Sequence, residues 1–170
     1  MKNNPMLTKY SSNETVPKWD PRIARRGALE NLLAEAFLVY IESKEQAPDN
    51  LKRWLILETI SDTLESCGCA CESLASLTDT RRWELELADD GEWAQKMSSE
   101  CEQLTAKWFP HLPGNVMGAH INVLRTHIRA VELLFCREDA TEDEKMIQRV
   151  LNTLAKAAYV AMWTEGTDAE

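Results

Sequence analysis

Apolar residues recur at intervals of three and four along most of the chain, which is the spacing of helices that bury one face. Asp20 and Pro21 form a helix start, because aspartate accepts hydrogen bonds from free amide groups and proline tolerates the first turn. Thr141 and Glu144 have the spacing of a capping box. The pattern predicts five major helices, over residues 21–46, 50–77, 91–109, 115–137 and 142–164.

The stretch of residues 81–88 fits two structures. Trp83, Leu85 and Leu87 alternate with charged residues as in a strand, but Trp83 and Leu87 also lie one helical turn apart. Since the sequence offers no second strand for pairing, we predict a short helix and keep a strand as the alternative.

The expected fold class is therefore all-α, an antiparallel bundle of about five major helices joined by short loops. Residues 1–19 are polar and show no periodicity, so we expect a flexible leader or a segment draped over the bundle. Residues 20–170 are long enough for one domain with a sizeable core.

Charge is unevenly distributed along the chain. The net charge is −9, yet residues 1–26 hold six lysines and arginines against two acidic residues, so the leader is basic and the body acidic. Such a body repels nucleic acids and membrane phosphates and attracts basic partners. No apolar run approaches the roughly 20 residues of a membrane span, and residues 1–20 lack an apolar signal segment, so we expect a cytoplasmic protein.

Three of the five cysteines lie within the sequence SCGCACES, residues 66–73. On a helix, Cys67 and Cys71 share the apolar stripe, whereas Cys69 points to the opposite side. We interpret Cys67 and Cys71 as core residues with free thiols. One alternative is a soft-metal or small-ligand site that Cys67 and Cys71 form with His127, although the paired spacings of structural zinc are missing. A reactive Cys69 that faces a partner is the other.

His120 and His127 lie two turns apart on the helix predicted at 115–137. This separation is too large for one metal ion without ligands from other helices, so we interpret them as half-buried structural residues with hydrogen-bond partners.

The sequence contains none of the short motifs of nucleotide-binding loops, serine hydrolases or zinc proteases, and no Glu-x-x-His pair of di-iron bundles. Its six glycines are too few for a loop that cradles phosphate. We therefore expect a non-enzymatic protein without a cofactor.

The most acidic stretch is residues 83–102, which carry seven carboxylates and one lysine. Two tryptophans lie within it, and aromatic residues can anchor a partner that neighbouring carboxylates steer. A solvated face without a partner is the alternative. The predicted partner-binding residues are Trp83, Glu84, Glu86, Asp89, Asp90, Glu92 and Trp93.

These observations favour an inhibitor or adaptor, such as a mobile-element accessory protein, that occupies the nucleic-acid-binding surface of a basic protein or nucleoprotein complex. It would bind neither nucleic acid nor a membrane directly. The alternatives are the metal- or small-ligand-binding bundle described above and a homodimeric structural protein.

Overall fold

The computed structural model describes residues 5–11 and 13–165, and most of them are helical. Five long helices and one short helix form a bundle, which confirms the predicted all-α fold class. Each predicted major helix has a counterpart. The helices are α1 (Pro21–Gln46), α2 (Leu51–Glu72), α3 (Asp79–Asp89), α4 (Glu92–Trp108), α5 (Val116–Phe135) and α6 (Glu142–Trp163).

One helix boundary in the middle of the chain differs from the sequence prediction by several residues. The helix predicted at 50–77 ends at Glu72, where Ser73 is extended, and Leu74–Ser76 form a 3₁₀ turn. The strand alternative for residues 81–88 is wrong, because this stretch belongs to α3. The Thr78 hydroxyl caps that helix by accepting a hydrogen bond from the Arg81 amide, at 3.3 Å.

The last helix lies at the centre of the packing. α6 contacts α2, α3, α4 and α5, and its alanines let these neighbours approach closely. The Cys67 side chain is fully buried in the same core, as predicted from its place on the apolar stripe of α2. None of the helices in the described part of the chain combines the length and hydrophobicity of a membrane span.

A β-hairpin precedes the bundle. Strands β1 (Leu7–Ser11) and β2 (Glu14–Pro17) pair antiparallel, with Leu7 opposite Pro17. Tyr10 fixes the hairpin to the bundle, because its ring lies 4.7 Å from the Arg22 guanidinium and its hydroxyl donates to the Cys71 carbonyl oxygen. No regular structure was predicted for these residues from the sequence pattern. The division of the chain into a leader (1–19) and a domain (20–170) stays a prediction.

The start of α2 is joined to the end of α6. Asn50 caps α2 by accepting a hydrogen bond from the Arg53 amide (3.2 Å), and its side-chain amide donates to the Thr164 carbonyl (3.1 Å). The buried Arg53 guanidinium donates to the carbonyls of Ala161 (3.0 Å) and Thr164. Burial lowers the pKa of Arg53. The carbonyl oxygens at the C-terminal end of a helix carry partial negative charge, so they suit a buried cation.

Candidate functional site

A cavity of about 410 Å³ opens between α4, α5 and α6. We call it the cationic cavity, because two arginines and a lysine line it against one carboxylate. Its lining residues are Cys101 and Thr105 of α4, Phe109 of the following loop, Arg125, Arg129 and Glu132 of α5, and Asn152, Ala155, Lys156 and Tyr159 of α6.

Helical periodicity explains how these side chains meet. Arg125, Arg129 and Glu132 are four and three residues apart, so they project from one side of α5 while residues such as Leu124 and Ile128 bury the other side in the core. Asn152 and Lys156 have the same spacing on α6, which packs against α5. The two helices therefore present their polar sides to the same space.

The cations of the cavity form no ion pair with any other residue that the structure describes. Arg125 donates to the Asn122 side-chain oxygen (3.1 Å) and Lys156 to the Ser98 hydroxyl (3.3 Å), and both acceptors are uncharged. Within the described residues, neither these two cations nor Arg129 forms an ion pair. Elsewhere, each of the following arginines is paired with a carboxylate: Arg22, Arg25, Arg26, Arg81, Arg137 and Arg149.

Burial lowers the pKa of Arg125, and the like charge of Arg129 lowers it further. A guanidinium nevertheless stays protonated in a protein, so the two positive charges remain close together. The single lining carboxylate, Glu132, accepts a hydrogen bond from the Gln148 amide (2.8 Å). The cavity is therefore suited to an anion that carries several negative charges.

Apolar surface lies next to these charges. The Phe109 side chain is exposed, with 71% of the residue accessible to solvent. The Tyr159 ring forms part of the wall, and its centroid lies 5.8 Å from the Arg125 guanidinium. A site with cations at one part and flat apolar side chains at another can bind a ligand that joins an anionic group to a planar ring.

The structure brings together three of the seven predicted partner-binding residues. Trp83 and Glu84 of α3 and Trp93 of α4 line a second cavity, of about 230 Å³. We call it the tryptophan pocket. The other residues that line it are Thr59, Asp62 and Thr63 of α2 and Leu87 of α3.

The other four predicted partner-binding residues lie outside this pocket. Glu86 lines a separate surface depression with Arg82. Asp89 accepts a hydrogen bond from the Arg149 guanidinium at 2.7 Å. Asp90 is the C-cap of α3, and Glu92 is the first residue of α4. Partner binding by these four residues, and by the three that line the tryptophan pocket, stays a prediction.

The alternative metal site is not assembled by the fold. Cys67 is fully buried, and burial raises the pKa of the Cys71 thiol to about 12. His127 instead lies on the surface, with Nδ1 2.6 Å from the Glu35 carboxylate of α1. His120 pairs in the same way with Glu42 (3.0 Å), so both histidines have partners but are exposed rather than half-buried. In residues 5–11 and 13–165, no group of three potential ligands could hold a metal ion.

The residues of the cationic cavity were not predicted from the sequence. A signal was present, because Arg125 and Arg129 are four residues apart on α5, and Asn152 and Lys156 are four residues apart on α6. The acidic stretch was chosen as a candidate site because its charges are close together in the sequence. The cations of the cavity lie on two separate helices, so a sum of charge over neighbouring residues does not reveal them.

Comparison with known proteins identifies the family. The sequence matches the family model described as cobalamin adenosyltransferase over residues 6–165. The chain belongs to this family. No curated protein matches it.

Two solved structures of a PduO-type ATP:corrinoid adenosyltransferase from Lactobacillus reuteri, each complexed with cobalamin and ATP, have the same fold. One is a phenylalanine-to-alanine variant, with a TM-score of 0.61 and 18% identity, and the match covers 92% of this chain and 86% of that one. The other is a phenylalanine-to-histidine variant, with a TM-score of 0.60 and 17% identity, covering 92% and 84%.

Membership of a transferase family shows that the prediction of a non-enzymatic inhibitor or adaptor was wrong, as was its assignment to mobile elements. The expected basic protein partner was inferred from the same interpretation. The residues of the cationic cavity come from three helices and a loop. A site of this kind leaves no short run of catalytic residues in the sequence.

Proposed function

We propose that this protein transfers the adenosyl group of ATP to a corrinoid, with the triphosphate of ATP held in the cationic cavity. The observation that carries this proposal is the group of three cations in one cavity, Arg125, Arg129 and Lys156, none of which forms an ion pair with another described residue. Family membership supports the reaction class. Both ATP and the corrinoid are substrates of this reaction.

The charge of the cavity matches what the reaction demands. Adenosyl transfer breaks the bond between the ribose 5′ carbon and the triphosphate oxygen, and the 5′ carbon forms its new bond to the reduced corrinoid, which supplies the electron pair of that bond. The electron pair of the broken bond leaves with the triphosphate, so negative charge increases on that group. Cations already in position stabilise such charge without reorganising, which lowers the barrier. Arg125, Arg129 and Lys156 have this role in the proposal.

The remaining lining residues orient the substrates. A volume of about 410 Å³ lies within the usual range of ligand sites, which is roughly 300–1,000 Å³. Phe109 and Tyr159 offer apolar surface to planar rings, and the Asn152 amide can donate to or accept from a bound polar group. Holding both substrates close together contributes to the rate by itself.

The test compares two lysines of α6. Calorimetry measures ATP binding, and chromatography with mass spectrometry detects adenosylated corrinoid formed from ATP and a reduced corrinoid. Replacing Lys156→Ala should weaken ATP binding about tenfold or more, since hydrogen bonds to charged groups are worth about 1.5–3 kcal/mol.

The matched control is Lys145→Ala, because Lys145 is exposed on the same helix outside the cavity. Its ATP affinity and product formation should equal those of the unchanged protein. Absence of both ATP binding and product in the unchanged protein, or an equal loss in the two variants, would refute the proposal. Self-association as a homodimer and a cytoplasmic location stay predictions.

A further inference from the structure

The two tryptophans of the tryptophan pocket differ in how far they are buried. Trp93 is half-buried and packs against the core of the bundle, whereas 59% of Trp83 is exposed. Leu87 lies one helical turn after Trp83 and is also half-buried. The pocket therefore combines two kinds of surface. The apolar and aromatic surface of Leu87 and Trp93 is already positioned by the bundle, whereas the exposed Trp83 indole can be covered by a ligand.

No cation of the described residues lies over either of these indoles. Other aromatic rings of the protein have one, since the Lys44 ammonium is 4.7 Å from the Trp54 ring and the Lys107 ammonium is 4.7 Å from the Trp108 ring. An indole face attracts cations electrostatically. In the tryptophan pocket this attraction is not used by the protein's own side chains.

Negative charge surrounds the same pocket. The Asp62 carboxylate forms no hydrogen bond or ion pair with another described residue, and Glu84 accepts a hydrogen bond from the Ser66 hydroxyl. Partial burial and the charges of Glu84, Glu58 and Glu65 raise the pKa of Asp62, while Arg81 opposes them. Crowded carboxylates with one nearby cation favour a positively charged ligand.

We propose that the tryptophan pocket binds a small organic ammonium ion, with the indoles of Trp83 and Trp93 against its apolar substituents and Asp62 facing its charge. Combined aromatic faces and a carboxylate are the features that recognise such ions. A phosphate-bearing ligand is excluded from this pocket by the carboxylates. The two cavities share no lining residue, so this inference does not depend on the proposed transferase activity.

Choline is the probe for the test. Its neutral isostere, in which a tert-butyl group replaces the trimethylammonium group, has nearly the same shape and no charge. Titration is followed by the indole N–H signals of the six tryptophans in two-dimensional NMR spectra. Choline should shift the signals of Trp83 and Trp93, and the isostere should bind about three- to thirtyfold more weakly, the range expected for loss of a cation–π contact.

Three variants complete the test. Trp83→Leu should weaken choline binding by about the same factor, and Asp62→Asn should weaken it about threefold or more. Trp19→Leu is the control, because Trp19 is 68% exposed and lies outside the pocket. All three positions are exposed, so the fold should be retained.

Three outcomes would overturn the inference. The first is the absence of shifts with millimolar choline. The second is equal affinity for choline and its isostere, which would show an apolar cavity without charge recognition. The third is an equal loss of binding in the Trp83 and Trp19 variants. None of these measurements uses ATP or a corrinoid, so failure of the proposed function would leave their outcome unchanged.

Discussion

The cationic cavity and the tryptophan pocket are built by neighbouring parts of one bundle, and α4 contributes to both. Their charges are opposite. In the first, Arg125 and Arg129 lie close together and neither forms an ion pair in the part of the chain that the structure describes, whereas in the second Asp62 lies among other carboxylates. Aromatic surface accompanies the charge in each.

This difference shows that the net charge of −9 says little about what either cavity binds. A charge acts over a screening length of roughly 8–10 Å at ordinary ionic strength, so the side chains lining a cavity determine its potential. An acidic protein can therefore hold a site for a polyanion, provided that cations from different helices converge and remain unpaired.

Reversing one charge in the cationic cavity should produce the largest difference between the ATP affinity and the choline affinity of a variant. We expect Arg129→Glu to lower ATP affinity about 100-fold, because it removes a cation and places a carboxylate beside the triphosphate. Choline affinity should stay the same, since Arg129 does not line the tryptophan pocket. Calorimetry measures the first quantity and NMR titration the second. Lys145→Glu provides the control for a general effect of charge, and a comparable loss of ATP binding in that variant would contradict the assignment.

ATP bound in the cationic cavity should slow the alkylation of a thiol that lines this cavity about tenfold. Cys101 lines this cavity, whereas Cys136 is exposed elsewhere. ATP at ten times its dissociation constant should slow alkylation of Cys101 about tenfold by mass action, and choline should not. Mass spectrometry of peptides follows both cysteines in one sample. Equal protection of Cys136 by ATP would show a global effect instead of occupancy of the cavity.

Ionic strength should weaken the two ligands to different extents. Between about 0.01 M and about 1 M salt the screening length falls from roughly 30 Å to roughly 3 Å. We expect ATP affinity to fall about fivefold or more over this range, because several charges interact, and choline affinity to fall less than about threefold. Calorimetry and NMR titration at matched salt concentrations give the two slopes. A stronger dependence on salt for choline affinity than for ATP affinity would contradict this prediction.

The smallest of these effects should be a decrease in choline affinity at acidic pH. The pKa of Asp62 is raised, so its carboxylate takes up a proton at a higher pH than an ordinary aspartate, whose pKa is about 3.9. Choline affinity should therefore fall, by about threefold, as the pH decreases from about 7 towards that value. The pH profile of Asp62→Asn, measured by the same titration, should be flatter. Identical profiles for the variant and the unchanged protein would exclude Asp62.

Most of the fold could be predicted from local signals. Caps such as Asp20 and Thr141 and regular apolar stripes act within a few residues, so the sequence shows them directly. The hairpin could not be predicted in this way. Tyr10 is buried by contacts with Arg22 and with the carbonyl of Cys71, which is 61 residues away in the sequence. The residues around Tyr10 show no alternation of apolar and polar positions that would have indicated a strand.

The candidate site was less predictable for a similar reason. Arg125 and Lys156 are 31 positions apart in the sequence, and only the packing of α5 against α6 brings them to one cavity. The acidic stretch was recognised because its charges are contiguous, but the fold separates them. Asp89 pairs with Arg149, whereas Glu84 turns towards α2.

The arrangement around Arg53 has a consequence for the order of folding during synthesis. The ribosome completes α2 long before it adds Ala161 and Thr164, whose carbonyl oxygens accept hydrogen bonds from this guanidinium. Until then, the site that will bury Arg53 offers its charge no acceptor, so closing that part of the core would be unfavourable. A nascent chain that lacks the end of α6 should therefore keep the start of α2 hydrated, which delays closure of the bundle until its central helix has left the exit tunnel.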